Sequence, residues 1–132
     1  GMEFLERNSI LRAKQQVIEQ AIDKARESIA GLNDEEYFNV LEKLLRKNVQ
    51  QGKGKICFSK KDLDRIPNGF EDRVKEIVAE NQGELVIDKE PANIKDGFVL
   101  VYGEIEENCT LKALFDSNID RIKDIANKQL FG

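Results

Sequence analysis

The chain has 132 residues, 40% of them apolar and 35% charged, so it has room for one domain with an appendage and reads as a well-solvated, helix-rich protein. Its net charge of −4 repels phosphate backbones and argues against a nucleic-acid partner, and no apolar run is long enough to cross a bilayer. Histidine is absent, which removes the commonest general base, the commonest zinc ligand and any Ser-His or Cys-His nucleophile pair.

A helix is expected from Glu3 to Ala30, with no Gly or Pro between Met2 and Gly31. Its apolar stripe runs through Ile10, Leu11, Val17, Ile18, Ala21, Ile22, Ala25, Ile29 and Leu32. Such a rod is roughly 40 Å long, more than a globule of about 13 Å radius of gyration easily covers. A bare stripe needs a partner, and for Ile10 to Ile22 an external helix is the expected one. Two registers fit. Phe4, Leu11, Ile18, Ala25 and Leu32 recur every seven residues, which winds left-handed, with Asn8 and Gln15 as polar register-setters. An eleven-residue repeat maps Ile10-Leu11 onto Ala21-Ile22 and Val17-Ile18 onto Ser28-Ile29, which winds right-handed. Gly1-Met2 reads as a protease remnant, and a helix at full amphipathic strength from there implies more helix upstream.

Gly31 ends this helix and Asn33, with Glu36 three on, starts a second that carries Tyr37, Phe38, Leu41, Leu44, Leu45 and Val49 on one face. The natural division is a stalk helix over 1–32 and a second domain over 33–132. Gln51-Gly52-Lys53-Gly54 is expected as a break and Lys55–Phe58 as a strand. Ser59 with Asp62 opens a short helix that stops before Pro67. Phe70 to Val78 forms another helix, Leu85-Val86-Ile87 a buried strand, and Phe98–Tyr102 the clearest strand of the chain. Glu104–Asn108 is expected as an acidic turn and Cys109–Leu114 as a return strand. Asp116 would then cap a last helix carrying Ile119, Ile122, Ile125, Ala126 and Leu130. The order predicts an α+β domain, helices packed on a small, mostly antiparallel sheet.

The chemical inventory is thin. Gly52-Lys53-Gly54-Lys55 lacks phosphate-loop spacing and reads as a connecting loop. Glu104, Glu106 and Glu107 lack the spacing of a calcium loop and read as a solvated tip. Asp62 and Asp64 read as surface carboxylates paired with Lys61 and Arg65. Cys57 and Cys109 read as reduced, inert core thiols of a cytosolic protein. No catalytic residue, cofactor or metal site is expected.

Three stretches carry a family resemblance: Leu5-Glu6-Arg7-Asn8-Ser9 through Ala13-Lys14-Gln15 and on to Leu32–Tyr37; Asp96-Gly97-Phe98-Val99-Leu100-Val101; and Phe115-Asp116 leading to Leu130-Phe131. The chain resembles the E subunit of the archaeal/vacuolar-type rotary ATPases, the peripheral-stalk (stator) protein. The pattern departs at Asp96, where a second glycine is usual, and at Asn118, where many relatives have arginine. The resemblance implies a non-catalytic subunit, cytoplasmic and peripheral on a proton- or sodium-translocating complex. It also implies that the long helix pairs with a second stalk subunit in a right-handed coiled coil. The C-terminal domain would dock on the nucleotide-binding head, with Phe115, Leu130 and Phe131 as candidate contacts. The rival without that resemblance is an adaptor that homodimerises through the first helix. A small enzyme working with carboxylates alone would need a carboxyl group of strongly raised pKa in a pocket, and no constellation here suggests one.

Overall fold

The absence of helix breakers lets the first helix, α1, run unbroken over Met2–Ala30. The computed structural model describes the backbone from Met2 to Gly132 and side-chain surroundings from Glu6 onward. The Phe4 side chain, placed above on the heptad seam, lies outside the described residues. Asn33 caps α2 (Asp34–Asn48), its side chain accepting from the Glu36 amide at 2.9 Å, with Asp34, Glu35 and Glu36 complementing the positive end of the helix dipole. β1 covers Gly52–Phe58, α3 Lys60–Leu63, α4 Phe70–Glu80 and β2 Gly83–Ile87. β3 (Phe98–Tyr102) and β4 (Ile105–Cys109) form a hairpin, followed by α5 (Leu111–Ser117) and α6 (Ile119–Phe131).

The four strands lie in the order β2-β1-β3-β4, with β1 parallel to β2 and antiparallel to β3, and β3 antiparallel to β4. The fold is α+β with a mixed sheet. Helical spacing on α2 brings Tyr37, Phe38, Leu41, Leu44 and Leu45 inward, and on α4 Phe70, Val74, Ile77 and Val78. They meet the inward strand positions Ile56, Phe58, Leu85, Phe98 and Leu100. Four phenylalanines tie the layers together: Phe38 lies 4.9 Å from Phe70 and 6.2 Å from Phe58, and Phe58 lies 5.7 Å from Phe98. Each such ring contributes about 1.5–3 kcal/mol on full burial.

Three local expectations are corrected. The segment Gly52-Lys53-Gly54-Lys55 is strand, not loop, and Gly54 is required there because a Cβ would stand 2.7 Å from the Tyr102 ring. Glu106 and Glu107 lie within strand β4, because β3 and β4 turn over just Gly103 and Glu104, with Tyr102 opposite Ile105. The stretch after Cys109 is helix rather than strand: Thr110 caps α5, its hydroxyl accepting from Ala113 at 3.0 Å, and Asp96 accepts from Leu111 at 3.3 Å. Asp116 therefore sits inside α5, paired with Lys112 at 3.1 Å, and Asn118 joins α5 to α6.

Candidate functional site

Ile18 and Ile22 are buried, and their own chain covers them. Phe115 of α5 and Ile119, Ile122 and Ala126 of α6 pack on them, with Ile29 at the edge, as a second small core. Helix α6 runs back along α1, so that Lys14 Nζ lies 5.2 Å over the Phe131 ring near the far end. The lower part of the stripe thus belongs to an intramolecular helix pair, which corrects the assignment of Ile18 and Ile22 to an external helix. Phe115 is buried in the same cluster and is no surface contact.

Ile29 and Leu32, at the other end of the stripe, are half-buried against the main core, whereas the part nearer the N-terminus is largely bare. Ile10 is 58% exposed, Leu11 51% and Val17 43%, with Ala25 exposed and Ala21 half-buried. On α6, Ile125, Leu130 and Phe131 are exposed to a similar degree. The α1–α6 pair therefore presents large apolar side chains from both helices. Where such side chains adjoin one another they mark an interaction surface.

The interior holds a polar cluster that sequence reasoning missed. Asp62, expected at the surface, is fully buried. The Tyr37 hydroxyl donates to Asp62 Oδ2 at 2.5 Å, and the Gly97 amide donates to the same oxygen at 2.7 Å and to the Tyr37 oxygen at 3.1 Å. The Arg65 guanidinium stands 4.1 Å over the Tyr37 ring and 3.4 Å from Asp62 Oδ1, without hydrogen-bond geometry to that oxygen, so this contact acts through charge. Burial, reinforced by the Asp62 hydrogen bond and charge, raises the Tyr37 phenol well above its ordinary range. A phenol so held keeps its proton at neutral pH and is no general base. Ser59 followed by Asp62 signals the cap, and Ser59 Oγ does accept from the Asp62 amide at 3.2 Å. Nothing in the spacing signals that the Asp62 carboxylate turns inward.

Both thiols are free. Burial pushes Cys109 up to about 12, with Glu107 adding to it, and burial and then Asp88 raise Cys57. Among the described residues no group of three or more Cys, Asp or Glu is placed to hold a metal ion. No helix among them is long and apolar enough to cross a membrane.

The exposed apolar side chains of α1 and α6, not the interior, form the candidate site. A family model described as ATP synthase (E/31 kDa) subunit matches residues 2–131. The chain is 32% identical over 127 residues to a V-type ATP synthase E subunit of Clostridium botulinum, covering 95% of this chain and 64% of that protein. It is 29% identical over 103 residues to the V-type ATP synthase E subunit of Acetivibrio thermocellus, covering 76% of this chain and 52% of that one. A V-type ATP synthase E subunit of Clostridium tetani is 30% identical over 126 residues, again 95% of this chain and 64% of that protein. The chain thus spans between half and two-thirds of the length of these relatives. With the match extending from the start of α1 to the end of α6, the chain belongs to the family of V-type ATP synthase E subunits.

Proposed function

We propose that the chain is the C-terminal part of a peripheral-stalk subunit that catalyses nothing itself and resists torque between the stator and the nucleotide-binding head of a V/A-type ATPase. The observation that carries this reading is the bare apolar rim of the α1–α6 pair. Ile10, Leu11 and Val17 lie exposed on α1, and Ile125, Leu130 and Phe131 lie exposed on α6, outside the small core the two helices share. A helix of the second stalk subunit laid along that rim would bury apolar area worth about 25 cal/mol per Å², using spaced helix-in-groove anchors. Ala25, small and exposed, allows close approach at the lower end. The second domain, with Leu130 and Phe131 at its border, would contact the head. The setting is cytoplasmic and peripheral to the membrane, on a complex that moves protons or sodium ions.

The test is a light-scattering mass of the chain alone and mixed with the second stalk subunit. A stable one-to-one complex that Leu11→Asp disrupts supports the reading. A chain that ignores this partner and dimerises by itself would shift it to a homodimeric adaptor.

A further inference from the structure

Where the end of α1 meets the rest of the fold, the chain leaves a hollow of about 380 Å³. Four cations line it, each from a different segment: Arg26 on α1, Lys61 on α3, Lys95 in the loop before β3 and Lys112 on α5. Two carboxylates share the wall. Asp96 is buried and accepts from the Leu111 amide at 3.3 Å, so it is committed to the start of α5, and Glu27 is exposed. The lining therefore carries four positive charges against two negative, on a chain with 21 basic side chains against 25 acidic. Its local charge is opposite in sign to the net −4 of the whole.

These cations are free to take a ligand. Lys61 and Lys95 are exposed, and among the described residues neither is in an ion pair. Arg26 and Lys112 are held by exposed neighbours on their own helices, Asp23 and Asp116, each at 3.1 Å. Exposed pairs of this kind contribute little, so both cations can turn to a ligand at small cost. Like charges gathered around one hollow also repel, and an anion between them removes that repulsion.

The chemistry of the wall narrows the ligand. A hollow of this size lies within the roughly 300–1,000 Å³ of small-molecule sites, more than a single tetrahedral ion needs. Three of the four cations are lysines, point charges that suit phosphate oxygens, whereas carboxylate recognition favours the planar fork of arginine. Ala30 and Ile94 add an apolar part to the same wall.

We propose that this hollow binds a small anion bearing two linked phosphate groups, held by Lys61, Lys95, Lys112 and Arg26. Its charge offsets the local positive surplus. Inorganic pyrophosphate and the diphosphate of a nucleotide carry this same chemistry, and the nucleotide also has a ring for Ala30 and Ile94 to cover. Bound there, the anion ties the end of α1 to α3 and α5. The site goes beyond the stalk role and does not rest on it.

The experiment is isothermal titration calorimetry of the chain at low ionic strength, where exposed charges are least screened, with pyrophosphate, magnesium-free ADP and citrate as separate probes. Pyrophosphate or ADP should bind one per chain and at least tenfold more tightly than citrate, a carboxylate anion of comparable charge. The double variant Lys61→Gln/Lys95→Gln should weaken that binding at least tenfold. Lys75→Gln/Lys89→Gln removes the same charge from two exposed lysines outside the hollow and should leave affinity within about twofold of the parent. ADP binding more tightly than pyrophosphate would name the organic diphosphate as the ligand, and equal affinities the inorganic one. Absence of saturable binding by both would overturn the proposal, as would equal affinity for citrate. An equal loss in the two double variants would overturn it too, because overall charge and not this hollow would then attract the anion.

Discussion

The Tyr37 hydroxyl and the Asp62 carboxylate meet at 2.5 Å across 25 residues of sequence, and both are fully buried. Tyr37 lies on α2 and Asp62 on α3, and the Gly97 amide joins them from the loop that enters β3. One contact thus fastens two helices to the start of the central hairpin. A buried polar cluster of this kind is costly when incomplete, because each stranded group keeps its desolvation penalty.

Tyr37→Phe should therefore destabilise the domain by about 1–3 kcal/mol although it removes a single oxygen. Asp62→Ala should cost at least as much, since it also strips Arg65 of its buried counter-charge. The check is a urea unfolding midpoint beside that of Glu80→Ala, which breaks an exposed pair with Arg46 at 3.5 Å and should fall within about 0.5 kcal/mol of the parent. If Tyr37→Phe matched Glu80→Ala, the cluster would carry no stability.

Alkaline pH should loosen the fold. Cys109, raised from 9.0 to about 12 by burial and then Glu107, and Tyr37, raised from 10.0 by burial and then Asp62, both favour the protonated form when folded. A raised folded pKa gives stability that is whole below the unfolded value and is lost as pH climbs toward the folded one. The unfolding midpoint should thus fall progressively from pH 9 upward. Cys109→Ala should flatten the first part of that decline. A midpoint that rises over the same interval would contradict both assignments.

Two glycines with nearly the same backbone angle separate conformational strain from crowding. Gly69 has φ +87° and open space where a Cβ would go, whereas Gly97 has φ +83° and the Cys109 carbonyl 2.6 Å from that point. Gly69→Ala should cost about 1–2 kcal/mol, the ordinary penalty of a left-handed residue. Gly97→Ala should cost distinctly more, because it also forces β3 away from the start of α5 and disturbs the amide that serves Tyr37 and Asp62. Thermal melts of the two variants side by side decide it, and equal shifts would show that the neighbouring carbonyl yields freely.

What could be read from the residues followed from local rules. Asn33 and Ser59 mark helix starts because capping is local chemistry, and the hydrophobic spacing of α2 and α4 names their buried faces correctly. The misread segments depend on contacts distant in sequence. Cys109, Leu111 and Ala113 alternate as a strand would, but Asp96, reaching Leu111 from 15 residues upstream, helps to make a helix there. Asp62 is charged and sits near Lys61 and Arg65, so nothing local distinguishes it from a surface carboxylate. The α1 stripe is continuous in sequence, and its division depends on where α6 lands, about 100 residues away.

That division makes the last prediction. Ile18→Asp and Ile22→Asp place a charge in the core shared by α1, α5 and α6, where burial without a partner is costly. Each should destabilise the chain by several kcal/mol, on the scale of a large core truncation, and release α6. Leu11→Asp and Val17→Asp fall on exposed positions and should leave the melting temperature nearly unchanged while weakening the complex with a second stalk subunit. Circular dichroism melts of all four, paired with light scattering in the presence of that subunit, separate the two roles. If Leu11→Asp lowered the melt as far as Ile22→Asp, the upper stripe would also belong to the folded core, and the case for a partner helix would fail.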